Sequence, residues 1–314
     1  MNKEQKVLGE GHVVGHRYQV ERFLGAGAIG TAYSCQDLIG GGTRVVVRIL
    51  RSAATAAEHS TISSRDFTLL RRLSHPNLVR ITDAGIVESS NGLFLVRDWI
   101  QGKNIYAATD GMDAEAILSV VMELTKALQY LHTRGIVHGH LSPFNAMVCG
   151  DEEGTDRLKL MDFGLSRNLS NGQRNGDIGR LAYAAPEVLL GGAATGRSDM
   201  YSLGILTYQL LTRRLPFEDE DPEFLIQKHL QSSVDLRPIE RMRGGNRVSP
   251  LVESLLEKDP ARRPSSGEEV IRLIIDAMGR HWLNTDIKEM ESHFCASQFV
   301  GREKEMSHVQ ESAQ

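Results

Sequence analysis

His138-Gly139-His140-Leu141-Ser142-Pro143-Phe144-Asn145 is the stretch on which the reading of this chain turns. It stands between two elements of different periodicity. Upstream, Asp113 can cap a long amphipathic helix running to about His132, with Ile117, Leu118, Val121, Leu124, Leu128 and Leu131 on one face and Gly135 just past its end. That stripe reads as core. Downstream, Ala146-Met147-Val148 reads as a short strand and Arg157 to Met161 as the next one. A helix therefore delivers the chain into the stretch, and a hairpin leads away from it to Asp162-Phe163-Gly164.

Further on, Leu165 to Ala184 is rich in Asn, Gly, Arg and Ser and poor in apolar residues, as a mobile surface segment should be. Ala185-Pro186-Glu187 closes it, with Glu187 lying 25 residues after Asp162. A helix starts in Asp199-Met200-Tyr201-Ser202-Leu203-Gly204, continues to about Arg213 and ends at Leu215-Pro216-Phe217. Lys258-Asp259-Pro260-Ala261-Arg262-Arg263-Pro264-Ser265 precedes a final helix from about Ser266 to Met278.

Toward the N-terminus, a strand begins near Tyr18, and Gly25, Gly27 and Gly30 fall at Gly-x-Gly-x-x-Gly spacing. Such glycines also open dinucleotide-binding units, where the third leads into a helix. Here Thr31-Ala32-Tyr33-Ser34-Cys35 reads as a second strand, so the choice lies between a glycine-tipped hairpin and an ordinary glycine-rich turn. Thr43 to Leu50 is a β-branched run with one cation, Arg48, inside it. A buried cation needs a partner. A helix through about Ser63 to Leu73 precedes the turn His75-Pro76-Asn77, and Gly92 to Gly102 reads as a strand and its exit.

The whole chain has 314 residues, 41% apolar, and a net charge of −4. That is enough for a substantial core, and it gives no reason to expect nucleic acid or a membrane surface as partner. Three widely spaced cysteines, Cys35, Cys149 and Cys295, fit a reducing compartment and no zinc pattern. Met1 to Val20 holds no secretory signal, and no run approaches the roughly 18 apolar residues of a membrane span. A cytoplasmic location is expected.

Taken in order, these motifs resemble those of the protein kinase family, and of bacterial serine/threonine kinases in particular. Periodicity alone says only mixed α and β. The resemblance covers about residues 18–278 and implies an α+β, two-lobed fold: a small β-rich N-lobe over 18–98, a larger α-helical C-lobe over 102–278, and ATP with magnesium between them. Residues 1–17 would be an extension. In 279–314, Phe299-Val300-Gly301-Arg302-Glu303-Lys304-Glu305-Met306 is similar to the opening signature of signalling ATPase modules, or else is a polar helix.

Carried over residue by residue, the resemblance implies a phosphate-covering loop at Gly25, Gly27 and Gly30, and a pocket roof of Ala32 and Val46. It puts the adenine against the backbone of Asp98 and Ile100, with Met147 beneath it, and makes Asn145 and Asp162 the magnesium ligands. Three departures bear on activity. The family's Val-Ala-Ile-Lys strand has Arg48 for Lys, and the helix Glu that pairs with it is Asp66. Arg97 holds the gatekeeper position, where it would pair with Asp66, snorkel to water or fill the pocket. In the loop that the family writes His-Arg-Asp-Leu-Lys-Pro-x-Asn, the Arg is Gly139, the proton-accepting Asp is His140 and the Lys is Ser142. Arg180 stands where the family usually has the Thr that joins that Asp and Lys.

The resemblance therefore implies a kinase homologue whose metal side is kept and whose proton-transfer side is replaced as a unit. The leading reading is a pseudokinase that holds ATP with magnesium and acts on a protein partner as a switch or scaffold. A slow or unconventional kinase using His140 as base, and an interaction module that binds no nucleotide because Arg48 and Arg97 fill the pocket, remain open beside it. General-base assistance is typically worth about 100- to 10,000-fold, which sets the size of the loss.

Overall fold

A computed structural model of the chain describes residues 8–27, 29–50, 64–87, 92–150, 156–165 and 178–279, with backbone alone at 64–66 and 156. Ala28, the Asp66 side chain, most of the loop between Leu165 and Ala184, Cys295 and the motif at 299–306 lie outside the described residues.

The N-terminal part is an antiparallel six-stranded sheet of β1 (Val13–Val14), β2 (Tyr18–Ala26), β3 (Gly30–Asp37), β4 (Arg44–Leu50), β5 (Ile81–Val87) and β6 (Gly92–Asp98), in spatial order β1-β2-β3-β4-β6-β5. Side chains alternate across a strand. Val45, Val47 and Ile49 of β4 therefore join Tyr18, Tyr33, Phe94 and Val96 in one apolar cluster. The alternate residues Val46, Arg48 and Leu50 face the other way, into a cleft.

β2 and β3 are joined through Gly27 and Gly30, whose backbones exchange hydrogen bonds of 2.9 and 3.2 Å. The hairpin reading of the glycine run is the one observed, with β3 following directly. The three glycines differ physically. A Cβ on Gly30 would collide with the Ile49 carbonyl of the adjacent strand, whereas Gly25 and Gly27 face open space. Residues ahead of Tyr18 also join the sheet: Val14 pairs with Tyr18, and Arg17 donates to both Asp37 oxygens at 2.7 Å. Hydrogen bonds from Arg17 outweigh burial and hold the Asp37 carboxyl down at about 2.

After α1 (Ser64–Arg71), the turn at His75-Pro76-Asn77 ties the two parts of the molecule together. Leu160 N donates to Asn77 O at 2.8 Å, Val79 N donates to Leu160 O at 3.0 Å, and the Asn77 amide reaches Glu123 and the Leu158 carbonyl. The C-terminal part holds α2 (Ile105–Ala108), α3 (Ala114–His132), the three-stranded sheet β7 (Lys103–Asn104), β8 (Ala146–Gly150) and β9 (Asp156–Leu160), then α4 (Ile178–Leu181), α5 (Pro186–Leu189), α6 (Gly196–Thr212), α7 (Pro222–Gln231), α8 (Arg237–Glu240), α9 (Gly245–Leu255) and α10 (Gly267–Ala277). The architecture is α+β, a β-rich lobe on a helical one.

Local signals account for the helix ends. Asp113 accepts from Ala116 N at 2.8 Å and starts α3, and all six apolar residues of its predicted stripe are buried. Ser266 caps α10 through Glu269 N, and Thr195 with Ser198 forms a capping box on α6. Gly204 lets α6 approach α9, because a Cβ there would lie 2.8 Å from Leu255 Cβ. No helix among the described residues is long and apolar enough to cross a membrane.

Candidate functional site

The loop His138 to Asn145 is held from below by one buried carboxylate. Asp199, at the start of α6, accepts the backbone N–H of His138 at 2.8 Å and of Gly139 at 2.7 Å, and its Oδ2 lies 2.7 Å from His132 Nε2. Gly139 takes φ 68, a conformation that favours glycine. His138 is fully buried, with Nε2 3.0 Å from the Met161 carbonyl and Nδ1 accepting from His140 N at 3.2 Å. The Asn145 amide donates to the His140 carbonyl at 2.8 Å and Met161 N donates to Asn145 O, so the loop and the Asp162 segment form one hydrogen-bonded unit.

His140 is half-buried and shares the lining of a small cavity with Arg180 and Tyr183. Burial lowers its pKa to about 4, with His138 and Arg180 pushing the same way. The ring is therefore neutral at physiological pH. Ser142 is buried beneath the loop, where its carbonyl accepts from Asn145 N, and it does not line that cavity. The structure thus brings His140 and Arg180 together and leaves Ser142 in a backbone role.

Burial also pushes down the pKa of His138, and that of His229 to about 3. An unfolded His titrates near 6.5, so below that pH the unfolded chain binds protons that the folded chain refuses. Stability from these groups is complete above about 6.5 and is lost as pH falls toward 4 for His140 and 3 for His229. Each such group contributes a slope of about 1.4 kcal/mol per pH unit within its window. Urea midpoints are expected to fall steadily from pH 7 to pH 5, and His140→Asn should flatten that slope; equal midpoints at the two pH values would contradict the assignment.

In the cleft, Arg48 Nη2 lies 2.7 Å from Asp162 Oδ2, and Arg97 Nε lies 3.9 Å from Asp162 Oδ1. All three side chains are largely buried: 17% of Arg48, 14% of Arg97 and 5% of Asp162 is exposed. The register explains the meeting. Arg48 lies opposite Leu95 and Arg97 opposite Val46, which puts both arginines on the cleft face of neighbouring strands. Asp162 has φ 58, which turns its carboxylate away from the regular strand path; Asp tolerates this conformation better than most residues. Burial pushes the Asp162 carboxyl up, but Arg48 and then Arg97 outweigh it and hold the pKa below its ordinary value. Burial lowers the pKa of Arg97, opposed by Asp162.

Sequence reasoning put Arg48 with Asp66 or phosphate, and Asp162 with metal. It missed that the two reach each other. The Asp66 side chain lies outside the described residues, so the partner seen for Arg48 is Asp162. Arg97 pairs weakly with that same Asp and does not snorkel, and its Nη1 donates to the Asp98 carbonyl at 3.3 Å. That carbonyl is one of the two backbone groups expected to meet adenine. It keeps a second lone pair. Asp98 otherwise serves the sheet, its N–H donating to Arg80 O at 3.1 Å and its carboxylate meeting Arg80 at 3.2 Å; Ile100 lies just past the strand. Ala32 and Val46 are both buried, Met147 is half-buried on β8, and the only detectable signal for the three-way cluster was the count of charges predicted to share one pocket.

Asp162 as arranged does not suit a magnesium ion. Mg²⁺ needs near-octahedral oxygen ligands at about 2.0–2.1 Å. Here one carboxylate oxygen is held by Arg48 and the other faces Arg97, so a dication entering between them would sit beside two permanent positive charges.

Comparison with known proteins adds the following. The model of the protein kinase domain matches residues 18–279. The serine/threonine-protein kinase pkn2 of Myxococcus xanthus is 32% identical over 273 residues, covering 82% of this chain and 32% of its own length. PrkC of Bacillus subtilis is 29% identical over 267 residues, covering 83% of this chain and 40% of its own length. The chain thus spans about a third to two-fifths of these two relatives. Among solved structures, a double mutant of the Mycobacterium tuberculosis PknI kinase domain superposes with a TM-score of 0.67 at 24% identity, covering 87% of this chain and all of that one. Rad53 in complex with AMP-PNP gives 0.64 at 24%, covering 82% and 65%. These two likenesses speak to the fold.

Proposed function

The chain belongs to the protein kinase family, and from that premise we propose that it is an impaired member, a pseudokinase, which holds a nucleotide in the cleft and works as a signalling switch or scaffold in the cytoplasm. His140 carries this reading. The family needs a carboxylate at that position to accept the hydroxyl proton; this chain has a neutral imidazole whose pKa is about 4 and whose neighbour is Arg180. A neutral ring offers no negative charge to orient the hydroxyl, and Arg180 opposes the imidazolium that proton transfer would create. Loss of the base alone slows transfer by about 100- to 10,000-fold.

The parts that shape the fold are kept, which supports a role in binding rather than chemistry. Asp199 still holds the loop, and Glu187 still pairs with Arg263. The test is incubation of the chain with labelled ATP, magnesium or manganese, and generic protein acceptors. No transfer above that of Asp162→Ala is expected. Clear transfer that disappears in Asp162→Ala would refute the reading and make the chain a kinase with an unusual base.

A further inference from the structure

Among the described side chains, two guanidinium groups face one carboxylate in the cleft, so the cluster of Arg48, Arg97 and Asp162 carries one positive charge in excess. Asp98 adds only the smallest of the attractions felt by Arg97, since its carboxylate is turned to Arg80 at the surface. The hydrogen bonding is also incomplete. Arg48 Nε and Arg97 Nε are both buried and have no hydrogen-bond partner among the described residues. Buried donors left unpaired are costly, and an arginine cannot shed its charge to relieve the cost. What completes such a site is an anion with several oxygen acceptors, and phosphate matches the guanidinium fork.

A dication does the opposite. It adds charge where charge is already in excess, and it competes for the carboxylate that Arg48 holds at 2.7 Å. We propose that the cleft binds the phosphate groups of a nucleotide as a metal-free anion, with Arg48 and Arg97 supplying the positive charge that magnesium supplies in catalytic kinases. This rests on the reading of the cleft as a nucleotide site. Gly25 and Gly27, whose Cβ positions face open space, leave room above the phosphates. The arrangement binds without preparing transfer, because no metal bridges the leaving group.

The experiment is calorimetric titration of the chain with ATP, ADP and inorganic tripolyphosphate, first in EDTA and then with magnesium. ATP is expected to bind in EDTA, with an affinity that magnesium leaves unchanged or weakens. Arg48→Met and Arg97→Met should each reduce that affinity by roughly 10- to 100-fold, the worth of a charge-assisted hydrogen bond. Since Arg48→Met exposes Asp162 to an unpaired burial, Arg48→Lys serves beside it: it keeps the charge, folds if the pocket tolerates a cation, and should lose less. Equal binding of tripolyphosphate supports an anion site that reads phosphate alone; binding of ATP only supports one that reads the nucleoside as well. Binding that appears only with magnesium, or no binding of any probe, overturns the proposal. The labelled-ATP assay is read separately: magnesium-dependent binding without transfer would leave the pseudokinase reading standing, and transfer would overturn that reading whatever the titration shows.

Discussion

Glu187→Ala is expected to lower the melting temperature by roughly 6 to 20 °C, the largest loss of stability among single changes at the site's supports. Arg263 has a side chain with 0% exposure, and its two terminal nitrogens donate to the two Glu187 oxygens at 2.8 Å each. Burial pushes the Glu187 carboxyl up, but hydrogen bonds from Arg263 and Ser198 outweigh it and keep the carboxyl below its ordinary range. Truncation leaves a guanidinium in the interior that meets the backbone carbonyls of Glu257, Arg197 and Lys258 and the face of the Tyr201 ring, with no carboxylate among the described residues to balance its charge. Breaking a buried pair from one side costs about 3–5 kcal/mol, because the remaining charge stays desolvated. The double variant Glu187→Ala with Arg263→Met should recover much of the loss, since it removes the stranded charge as well. Thermal unfolding followed by circular dichroism checks both; a shift under about 2 °C for Glu187→Ala would mean that Arg263 is not dependent on its partner.

The second large effect has an unusual sign. In a cleft that uses Asp162 as a metal ligand, Asp162→Asn removes the ligand and weakens nucleotide binding. In this cleft the same change removes the one carboxylate that the described residues place beside the two guanidinium groups, and ATP affinity measured in EDTA is expected to rise by roughly tenfold, as loss of a repulsive charge a few ångströms away implies. Asn accepts the left-handed φ of 58 as readily as Asp does, so the backbone need not move. The ligand-free protein should meanwhile become less stable, because Arg48 and Arg97 lose their common partner. ATP should restore part of that stability by binding the folded state alone. Titration and thermal shift on the same variant give both numbers, and a tenfold loss of affinity in EDTA would show Asp162 to be a ligand-binding group after all.

How much of this was legible beforehand differs from residue to residue. Helix α3 was readable from its cap and its stripe, since Asp113 and the six apolar positions act through local geometry and burial. The hairpin at Gly27 and Gly30 was distinguishable from a strand-to-helix turn by the β-branched and aromatic residues after it. The ties from Asp199 to the loop and from Glu187 to Arg263 join stretches that were legible as motifs, and each is made by a short side chain or a rigid fork with one place to go. The Arg48 partner was not legible. Arginine has a long, rotatable stem, so the motif order shows that it shares a pocket with Arg97 and Asp162 without showing which groups touch. The Ser142 role was missed for a different reason: its backbone, not its hydroxyl, does the bonding seen here.

From the amino-acid order alone came the fold, the family and the absence of a carboxylate at His140. Hydrophobic periodicity and caps place the helices and strands, the resemblance of the ordered motifs implies the two-lobed fold and the family, and each survives without knowledge of any distance. Only the tertiary structure decided what the cleft charges do. Electrostatic energy falls with separation and depends on burial, and a shift of a few ångströms separates an Arg48 that waits for phosphate beside a free metal ligand from an Arg48 that already holds that ligand at 2.7 Å. The loop from His138 to Asn145 carries its departures in plain sequence, whereas the meeting of Arg48 and Arg97 at Asp162, set by strand register and the turn at φ 58, exists only in the folded chain.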